Sequence, residues 1–224
     1  MCTSLLEAQR LARRHADGRQ WLLHEISLKI DAGERLALAG QSGAGKTLLL
    51  RALAKLDPVD SGEVRFRGQP VSPHRVPKFR GEVIYLHQRA ALLEDHVEAA
   101  LRRPFALCTH RHRQFQPQRI QKWLGQLGRD ASFLQKNVAD LSGGEIQMTA
   151  LLRALQLDPA VLLLDEPTAA LDSPTAAIVE QLLVEWIDDA PADRAFLWVT
   201  HDAVQAARIG RRTLHIEQGR LNHD

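Results

Sequence analysis

The stretch LSGGEIQMTALLRALQLDPAVLLLDEPTAALD, residues 141–172, decides the fold of this chain together with one motif upstream. It opens with LSGGE at Leu141–Glu145, continues to VLLLDEP at Val161–Pro167, and ends at Asp172. The upstream motif, GQSGAGKT at Gly40–Thr47, fits the pattern G-x-x-x-x-G-K-[ST] in full. A phosphate loop alone would indicate only nucleotide binding, whereas the three motifs in this order predict a narrower function.

The bulk composition is that of one sizeable globular domain of 224 residues. Its 29 basic and 27 acidic residues give a formal net charge of +2, so the composition gives no electrostatic reason to expect nucleic acid as a partner. Two cysteines, Cys2 and Cys108, form no disulfide framework and suit a reducing compartment. The N-terminus lacks an apolar core of signal-peptide length, and no stretch approaches the ~20 apolar residues that span a bilayer.

Apolar runs alternate with segments of helical periodicity along most of the chain. Strands are predicted at Glu34–Gly40, Val83–Gln88, Val161–Leu164, Ala195–Thr200 and Thr213–Ile216, with a turn and strand in Asp57–Val64. Helices are predicted at Lys46–Leu56, from Gly143 to about Leu157, at Pro174–Asp188 and at Asp202–Ile209. This alternation favours an α/β fold with a mostly parallel sheet, whose ligands bind at the carboxyl ends of the strands.

Residues Ala90–Ala139 differ in composition from the rest of the chain and are rich in Arg, His, Gln and Leu at helical spacing. This composition and spacing predict an inserted helical subdomain. Within it, CTHRHR at Cys108–Arg113 offers a thiol and two imidazoles. A metal site is one interpretation, but the spacing matches no structural zinc pattern, and we favour a solvated basic loop.

The phosphate loop supplies most of the predicted nucleotide contacts. Its glycines let the backbone N–H groups point at phosphate oxygens, and the following helix adds its positive end. Lys46 is expected to reach the β- and γ-phosphates, and Thr47 to offer its hydroxyl to Mg²⁺. The predicted nucleotide-binding residues here are Gly40, Gln41, Ser42, Gly43, Ala44, Gly45, Lys46, Thr47 and Leu48.

Four polar residues at strand ends are the candidates for hydrolytic chemistry. Asp165 ends a buried strand and is expected to hold Mg²⁺, and Glu166 to take a proton from the attacking water. Gln88 is placed to touch Mg²⁺ or that water, and His201 to donate a hydrogen bond to the γ-phosphate. Each residue alone has an ordinary interpretation, such as a solvated acidic turn or a surface histidine, and the complete phosphate loop favours the functional one.

The LSGGE motif predicts a second anion site of the same physical type. Ser142, Gly143 and Gly144 precede a helix, whose start attracts phosphate. One chain has one γ-phosphate to bind, so a second such site makes sense if it completes the site of a partner. A plain N-capping serine with two loop glycines is the alternative. The three motifs thus predict an ATPase that hydrolyses its nucleotide between two copies of itself.

This ordered set of motifs resembles the nucleotide-binding subunit of ATP-binding cassette (ABC) transporters, from about Leu22 to Gly219. The resemblance implies a P-loop NTPase fold with a RecA-like, mostly parallel core, an N-terminal antiparallel β subdomain and an inserted helical subdomain. It implies one domain over residues 1–224, with residues 1–88 and 154–224 as the nucleotide-binding core and 89–153 as the insertion.

The resemblance also implies a function: a Mg²⁺-dependent ATPase, working as a head-to-tail homodimer with two ATPs between each phosphate loop and the partner's Ser142–Glu145. It implies Glu166 as general base, His201 on the γ-phosphate and Asp172 as a link across the dimer. The groove by Gln88 would receive a helix of an integral membrane permease, which places the chain in the cytoplasm on the inner face of the membrane. Two segments, KNVADLSGGE and FLWVTHD, are similar to short subunits of metal or iron export pairs.

Three departures from the family pattern and two rival functions remain. Leu48 follows Thr47 where the family often has a second hydroxyl residue, and we expect little effect because the first hydroxyl serves the metal. Met148 stands where the family usually has arginine. The position of the aromatic residue that usually stacks on adenine falls near His15 or Asp17 in this chain. We favour His15 as the residue that stacks on adenine, with Trp21 as the alternative. An ABC-type ATPase acting on nucleic acid or the ribosome is the first rival, and a small-molecule P-loop kinase the second. The kinase would leave LSGGE, Asp172 and His201 without a role.

Overall fold

A computed structural model describes residues 4–222, so Cys2 lies outside the described part. The strands of that part are β1 Ser4–Arg14, β2 Trp21–Asp31, β3 Arg35–Ala39, β4 Ser61–Phe66, β5 Gln69–Pro70, β6 Val83–Leu86, β7 Val161–Asp165, β8 Ala195–Val199, β9 Arg212–Glu217 and β10 Arg220–Asn222. Its α-helices are α1 Lys46–Leu53, α2 Val76–Glu82, α3 Val97–Arg102, α4 Pro117–Gln126, α5 Gly143–Leu155, α6 Ser173–Asp188 and α7 Ala203–Ile209.

The larger sheet has six strands in the order β10-β9-β3-β8-β7-β6, and all its pairings are parallel except β9 with β10. Every residue of β7 and β8 is buried, which explains why both read as continuous apolar runs. The predicted mostly parallel sheet is therefore confirmed. The expected last strand, Thr213–Ile216, is not the last: Gln218 and Gly219 both have positive φ and turn the chain back into β10.

The smaller sheet is antiparallel, in the order β2-β1-β4-β5, and confirms the antiparallel β subdomain that the resemblance implies. Along β2 the side chains of Ile26, Leu28 and Ile30 are buried in alternation with exposed ones. This period of two is that of a sheet with one face on a core. The buried face joins the core that also holds α1.

Alternate residues of the central strands face two different hydrophobic cores. Val161 and Leu163 of β7 lie in the core shared with α1 and the antiparallel sheet. Leu162 and Leu164 lie in a second core, built with α6 and with α4, α5 and other parts of the helical insertion. The predicted helical insertion is thus present, although α5 continues to Leu155, past the proposed boundary at residue 153.

Two local expectations are corrected. Helix α1 ends at Leu53 rather than Leu56, because Lys55 takes up a left-handed conformation (φ 57°) and Leu56 is then left exposed. The Cys108–Arg113 loop is not solvated throughout. His110 is only 5% exposed, because its ring packs on Gly81 at the end of α2, where an added Cβ would lie 3.2 Å from His110 Cε1.

Candidate functional site

The phosphate loop connects β3 to α1 through a backbone that only glycine tolerates at two points. Gly40 has φ 153°, and a Cβ on it would lie 2.3 Å from the carbonyl oxygen of Ile216. Gly45 has φ 104°, and a Cβ there would lie 3.0 Å from the carbonyl oxygen of Leu22. These close approaches hold the loop in its curled form against β2 and β9.

Lys46 already points into the concavity of this loop. Its Nζ donates to the carbonyl oxygens of Gly40 at 2.6 Å and Gln41 at 2.8 Å, and the residue is buried. The ammonium group is therefore held where a phosphate group would enter, and it is hydrogen-bonded there to two carbonyl oxygens of the loop. Phosphate oxygens are stronger acceptors for a cation, so an exchange of partners accompanies binding.

Thr47 and Asp165 meet at the carboxyl end of β7. Thr47 Oγ1 donates to Asp165 Oδ2 at 2.8 Å, and Asp165 is 3% exposed. An alcohol and a carboxylate side by side are hard oxygen donors, the type that Mg²⁺ prefers, so this donor set fits the ion. A third group joins them: the hydroxyl of Tyr85 donates to the same Oδ2 at 3.0 Å. Burial and the negative Asp165 raise the pKa of Tyr85, so it stays protonated as the donor.

The Glu166 carboxylate is held from two sides. Gln88 Nε2 donates to its Oε2 at 2.8 Å, and His201 Nδ1 lies 3.5 Å from its Oε1. Its backbone is in the left-handed region (φ 45°), an unfavourable conformation for a residue with a Cβ, and its N–H donates to Val199 of β8 at 3.2 Å. The three residues predicted to act on water and the γ-phosphate are thus brought together.

These groups line one open cleft together with part of the antiparallel sheet. Its lining includes the loop residues 42–48, Gln88, Asp165, Glu166 and His201. Trp21 lies in this lining, with the Arg14 guanidinium 4.3 Å over its ring. His15 is not among the lining residues, and its Nδ1 lies 3.2 Å from Asp17 Oδ1 in its own turn.

The signature residues line a different hollow, together with Asp172. Ser142 caps α5: its Oγ accepts from the Glu145 N–H at 3.2 Å while the Glu145 carboxylate accepts from the Ser142 N–H at 3.0 Å. Lys136 at 2.9 Å and the Ser142 N–H hold the pKa of Glu145 down to about 2, and Arg129 lies 3.8 Å away. The negative charge at this helix start is therefore neutralised by neighbouring cations.

Asp172 caps the following helix, α6, and its side chain accepts from the Thr175 N–H at 2.8 Å. This backbone N–H, with the Thr175 hydroxyl, lowers the pKa of Asp172. Gly144 lies against the same loop, since a Cβ there would lie 2.9 Å from the Ala170 carbonyl oxygen. The signature helix and the loop before α6 are therefore fitted to each other within one chain.

Sequence reasoning missed two residues of this region. Tyr85 touches the carboxylate of Asp165 from the adjacent strand, and only the alternation of β6 could have indicated which way it faces. Gln147 of α5 accepts from the Ala90 N–H at 3.3 Å and donates to the His87 carbonyl at 3.4 Å. It therefore binds the signature helix to the chain on either side of Gln88.

A family model described as ABC transporter matches residues 23–169, about two thirds of the chain. The chain belongs to the ABC transporter family. The ABC chain is 36% identical over 198 residues to the probable iron export ATP-binding protein FetA of Escherichia coli K12, covering 88% of this chain and 85% of that protein. It is 32% identical over 212 residues to the nickel import ATP-binding protein NikE of Brucella abortus strain 2308, covering 92% and 79%.

A solved structure of a dimeric ATP-binding cassette, in a post-hydrolysis state with ADP and Pi bound, superposes on this ABC chain with a TM-score of 0.85. The two are 25% identical, and the match covers 98% of this chain and 97% of the other. This ABC protein is accordingly an ATP-binding ATPase subunit of an import or export system. Among residues 4–222, no helix is long and apolar enough to cross a membrane.

Proposed function

We propose that two copies of this ABC subunit close head to tail on two Mg-ATP, each signature site completing the other's nucleotide cleft. The observation that carries the proposal is the separation of the two anion sites within one chain. The cleft at Gly40–Thr47 and the hollow at Ser142–Glu145 have no lining residue in common. This separation favours a signature site that completes the nucleotide cleft of another chain rather than its own.

Within each site, the proton is handled by this chain's own residues. Glu166 accepts a proton from the attacking water, whose oxygen bonds to the γ-phosphorus while the bond to the β-γ bridging oxygen breaks. Gln88 holds the carboxylate for this step, and His201 donates a hydrogen bond to the γ-phosphate. Lys46 binds the phosphate oxygens. Mg²⁺, held by Thr47, Gln88 and Asp165, would supply positive charge to the same oxygens.

Hydrolysis is transmitted to a separate membrane permease through the segment after Gln88. The hydrogen bonds of Gln147 to His87 and Ala90 support this proposal, because a displacement of Gln88 would also displace α5 and the rest of the 89–153 insertion. The subunit would then lie in the cytoplasm, on the inner face of the membrane, with residues 1–88 and 154–224 forming the nucleotide-binding core.

We propose metal export, with iron as the cargo, as the transport function. The similarity to a probable iron export protein supports this proposal. The similarity to a nickel import protein also supports a metal ion as cargo, although that protein is named for transport in the opposite direction. Cells that express this chain with its permease should hold less iron than cells with the Lys46→Ala variant. Equal iron content in the two strains would contradict export of iron.

Size-exclusion chromatography of Glu166→Gln with and without Mg-ATP tests the dimer. The variant should shift to a dimer with ATP, since it binds but cannot accept the proton. Adding Ser142→Arg should abolish the shift, because a bulky cation then fills the signature hollow. An ATP-dependent dimer that persists in the double variant would show that the signature site does not complete the partner's cleft.

A further inference from the structure

Tyr85 is the single tyrosine of the sequence, and its side chain ends beside the carboxylate proposed to hold Mg²⁺. It lies on β6, next to β7 in the sheet, where Tyr85 is paired with Leu163. Because side chains alternate, Tyr85 and Asp165 project to the same face as α1. The 3.0 Å hydrogen bond from the Tyr85 hydroxyl to Asp165 Oδ2 therefore follows from the strand register.

Two hydroxyl groups donate to that one oxygen. Thr47 Oγ1 and the Tyr85 hydroxyl both donate to Asp165 Oδ2, at 2.8 and 3.0 Å. Among the described residues, no hydrogen bond is made to Oδ1. Two donors on one oxygen fix the rotation of a carboxylate, and they leave the other oxygen for an incoming ligand.

The two donors have different fates when a nucleotide arrives. Thr47 is on the phosphate loop and lines the cleft, so its hydroxyl is available to a metal ion. Tyr85 is not among the cleft-lining residues, and besides Asp165 its hydroxyl interacts with Arg51 of α1. When the Thr47 hydroxyl turns away, Tyr85 is the donor that keeps Asp165 in place.

We propose that Tyr85 is a positioning residue for the metal-holding carboxylate: it fixes Asp165 in the orientation that accepts Mg²⁺ with ATP. The inference rests on the proposed Mg²⁺ site at Thr47 and Asp165. It predicts that the Tyr85 hydroxyl affects the binding of Mg²⁺ and leaves the binding of the nucleotide itself unchanged. Polar partners behind metal ligands are worth about 10- to 100-fold in metal affinity in other proteins.

The test is Tyr85→Phe, which removes the hydroxyl and keeps the ring. Calorimetric titration of ATP at a series of Mg²⁺ concentrations should show the half-saturating Mg²⁺ concentration raised about tenfold, the low end of that range. The affinity for ATP in EDTA should be unchanged. Thr149→Val serves as the matched control, since it removes a buried hydroxyl that bonds the Glu145 carbonyl on another element. It should leave the Mg²⁺ dependence as in the wild type.

The single tyrosine gives a second readout that does not depend on activity. With ¹³C at the ring carbon bearing the hydroxyl, the wild-type chain has one tyrosine resonance, which should shift when Mg²⁺ is added to the ATP-loaded protein. An unmoved resonance, together with an unchanged Mg²⁺ dependence in Tyr85→Phe, would overturn the inference. An equal loss of ATP affinity with and without Mg²⁺ would also overturn it, because that result would show that the Tyr85 hydroxyl has only a general structural role.

The failure of the proposed metal site would look different. Asp165→Asn should abolish the dependence of ATP affinity on Mg²⁺. If the wild type and Asp165→Asn respond to Mg²⁺ alike, the metal site itself is wrong and Tyr85 has nothing to position. If only Asp165→Asn loses the response, the metal site stands and the role of Tyr85 is rejected.

Discussion

Replacing Asp57 with asparagine should measure how strongly the nucleotide-binding helix is tied to the antiparallel sheet. Arg51 on α1 donates to both carboxylate oxygens, at 3.0 and 2.7 Å, and Arg13 on β1 lies 2.9 Å from the same group. Arg51 first, and Arg13 second, lower the pKa of Asp57 from 3.8 to about 2. The Asp57 side chain is only 17% exposed, so solvent screens these contacts incompletely.

The size of the effect follows from that pKa. A lowering by nearly two units corresponds to about 2.5 kcal/mol at neutral pH. The partial exposure of both arginines reduces this to about 1–2 kcal/mol. For a chain of this length, such a loss in the free energy of unfolding lowers Tm by about 2–8 °C.

Urea unfolding of wild type and Asp57→Asn, followed by circular dichroism, is the assay. Because the folded-state pKa is depressed, the difference should be constant above pH 5. It should shrink as the pH falls below 4 towards 2, where the carboxylate protonates. The matched control is Glu25→Gln: its pair with Arg10 is equally short, 2.6 Å, but the two side chains are 53% and 76% exposed. Equal losses in the two variants would refute the argument from burial.

Three further results are expected. Gly40→Ala should destroy nucleotide binding, because its Cβ would lie 2.3 Å from a carbonyl oxygen of β9. Gly43→Ala has open space around it but φ 78°, so it should cost only about 1 kcal/mol of stability. ATP titrations and thermal unfolding distinguish the two variants, and equal behaviour would contradict the steric reason. Trp21→Ala should weaken ATP binding by about 1–3 kcal/mol and His15→Ala should not, since only the tryptophan lines the cleft. A larger loss of ATP affinity in His15→Ala than in Trp21→Ala, measured by fluorescence titration, would instead favour His15 on adenine. Glu166→Gln should lower kcat about 10²- to 10⁴-fold with the ATP affinity retained, as measured by phosphate release; a near-normal kcat would exclude it as the general base.

The parallel core could be predicted from the sequence because its information is local. A buried strand such as β7 appears as an uninterrupted apolar run, and the turn that follows it is marked by acidic residues. The motif residues then follow from the rule that parallel strands present their carboxyl ends at one edge. Gln88, Glu166 and His201 come from three different strand ends, and the structure brings them within hydrogen-bonding or ion-pair distance.

The antiparallel strands were much harder to predict from the residues alone. Strands β1 and β2 each run for 11 residues, but Arg10 and Glu25 interrupt them with positive φ and shift the pairing register. Such irregular positions break the alternation on which a strand prediction depends. The turn that follows β1 also decides where His15 points, and this depends on its contact with Asp17.

Tertiary contacts decide the remaining differences. His110 looks like part of a solvated basic loop, and its burial depends on the absence of a side chain at Gly81, on a distant element. The composition of a segment carries no information about such a complementary surface. Tyr85 is a similar case, because its function depends on the register between two strands nearly 80 residues apart in sequence.

The two-faced strand β7 has a consequence for how changes in the helical insertion reach the nucleotide. Leu162 and Leu164 share one core with side chains of the insertion and of α6, while Asp165 follows directly and projects to the other side. Closely packed interiors transmit a displacement rather than absorbing it. A substitution that enlarges or empties the space beside Leu164 should therefore be detected at Asp165. Variation in the insertion would thus be limited by the proposed metal site at Asp165, which lies outside the insertion.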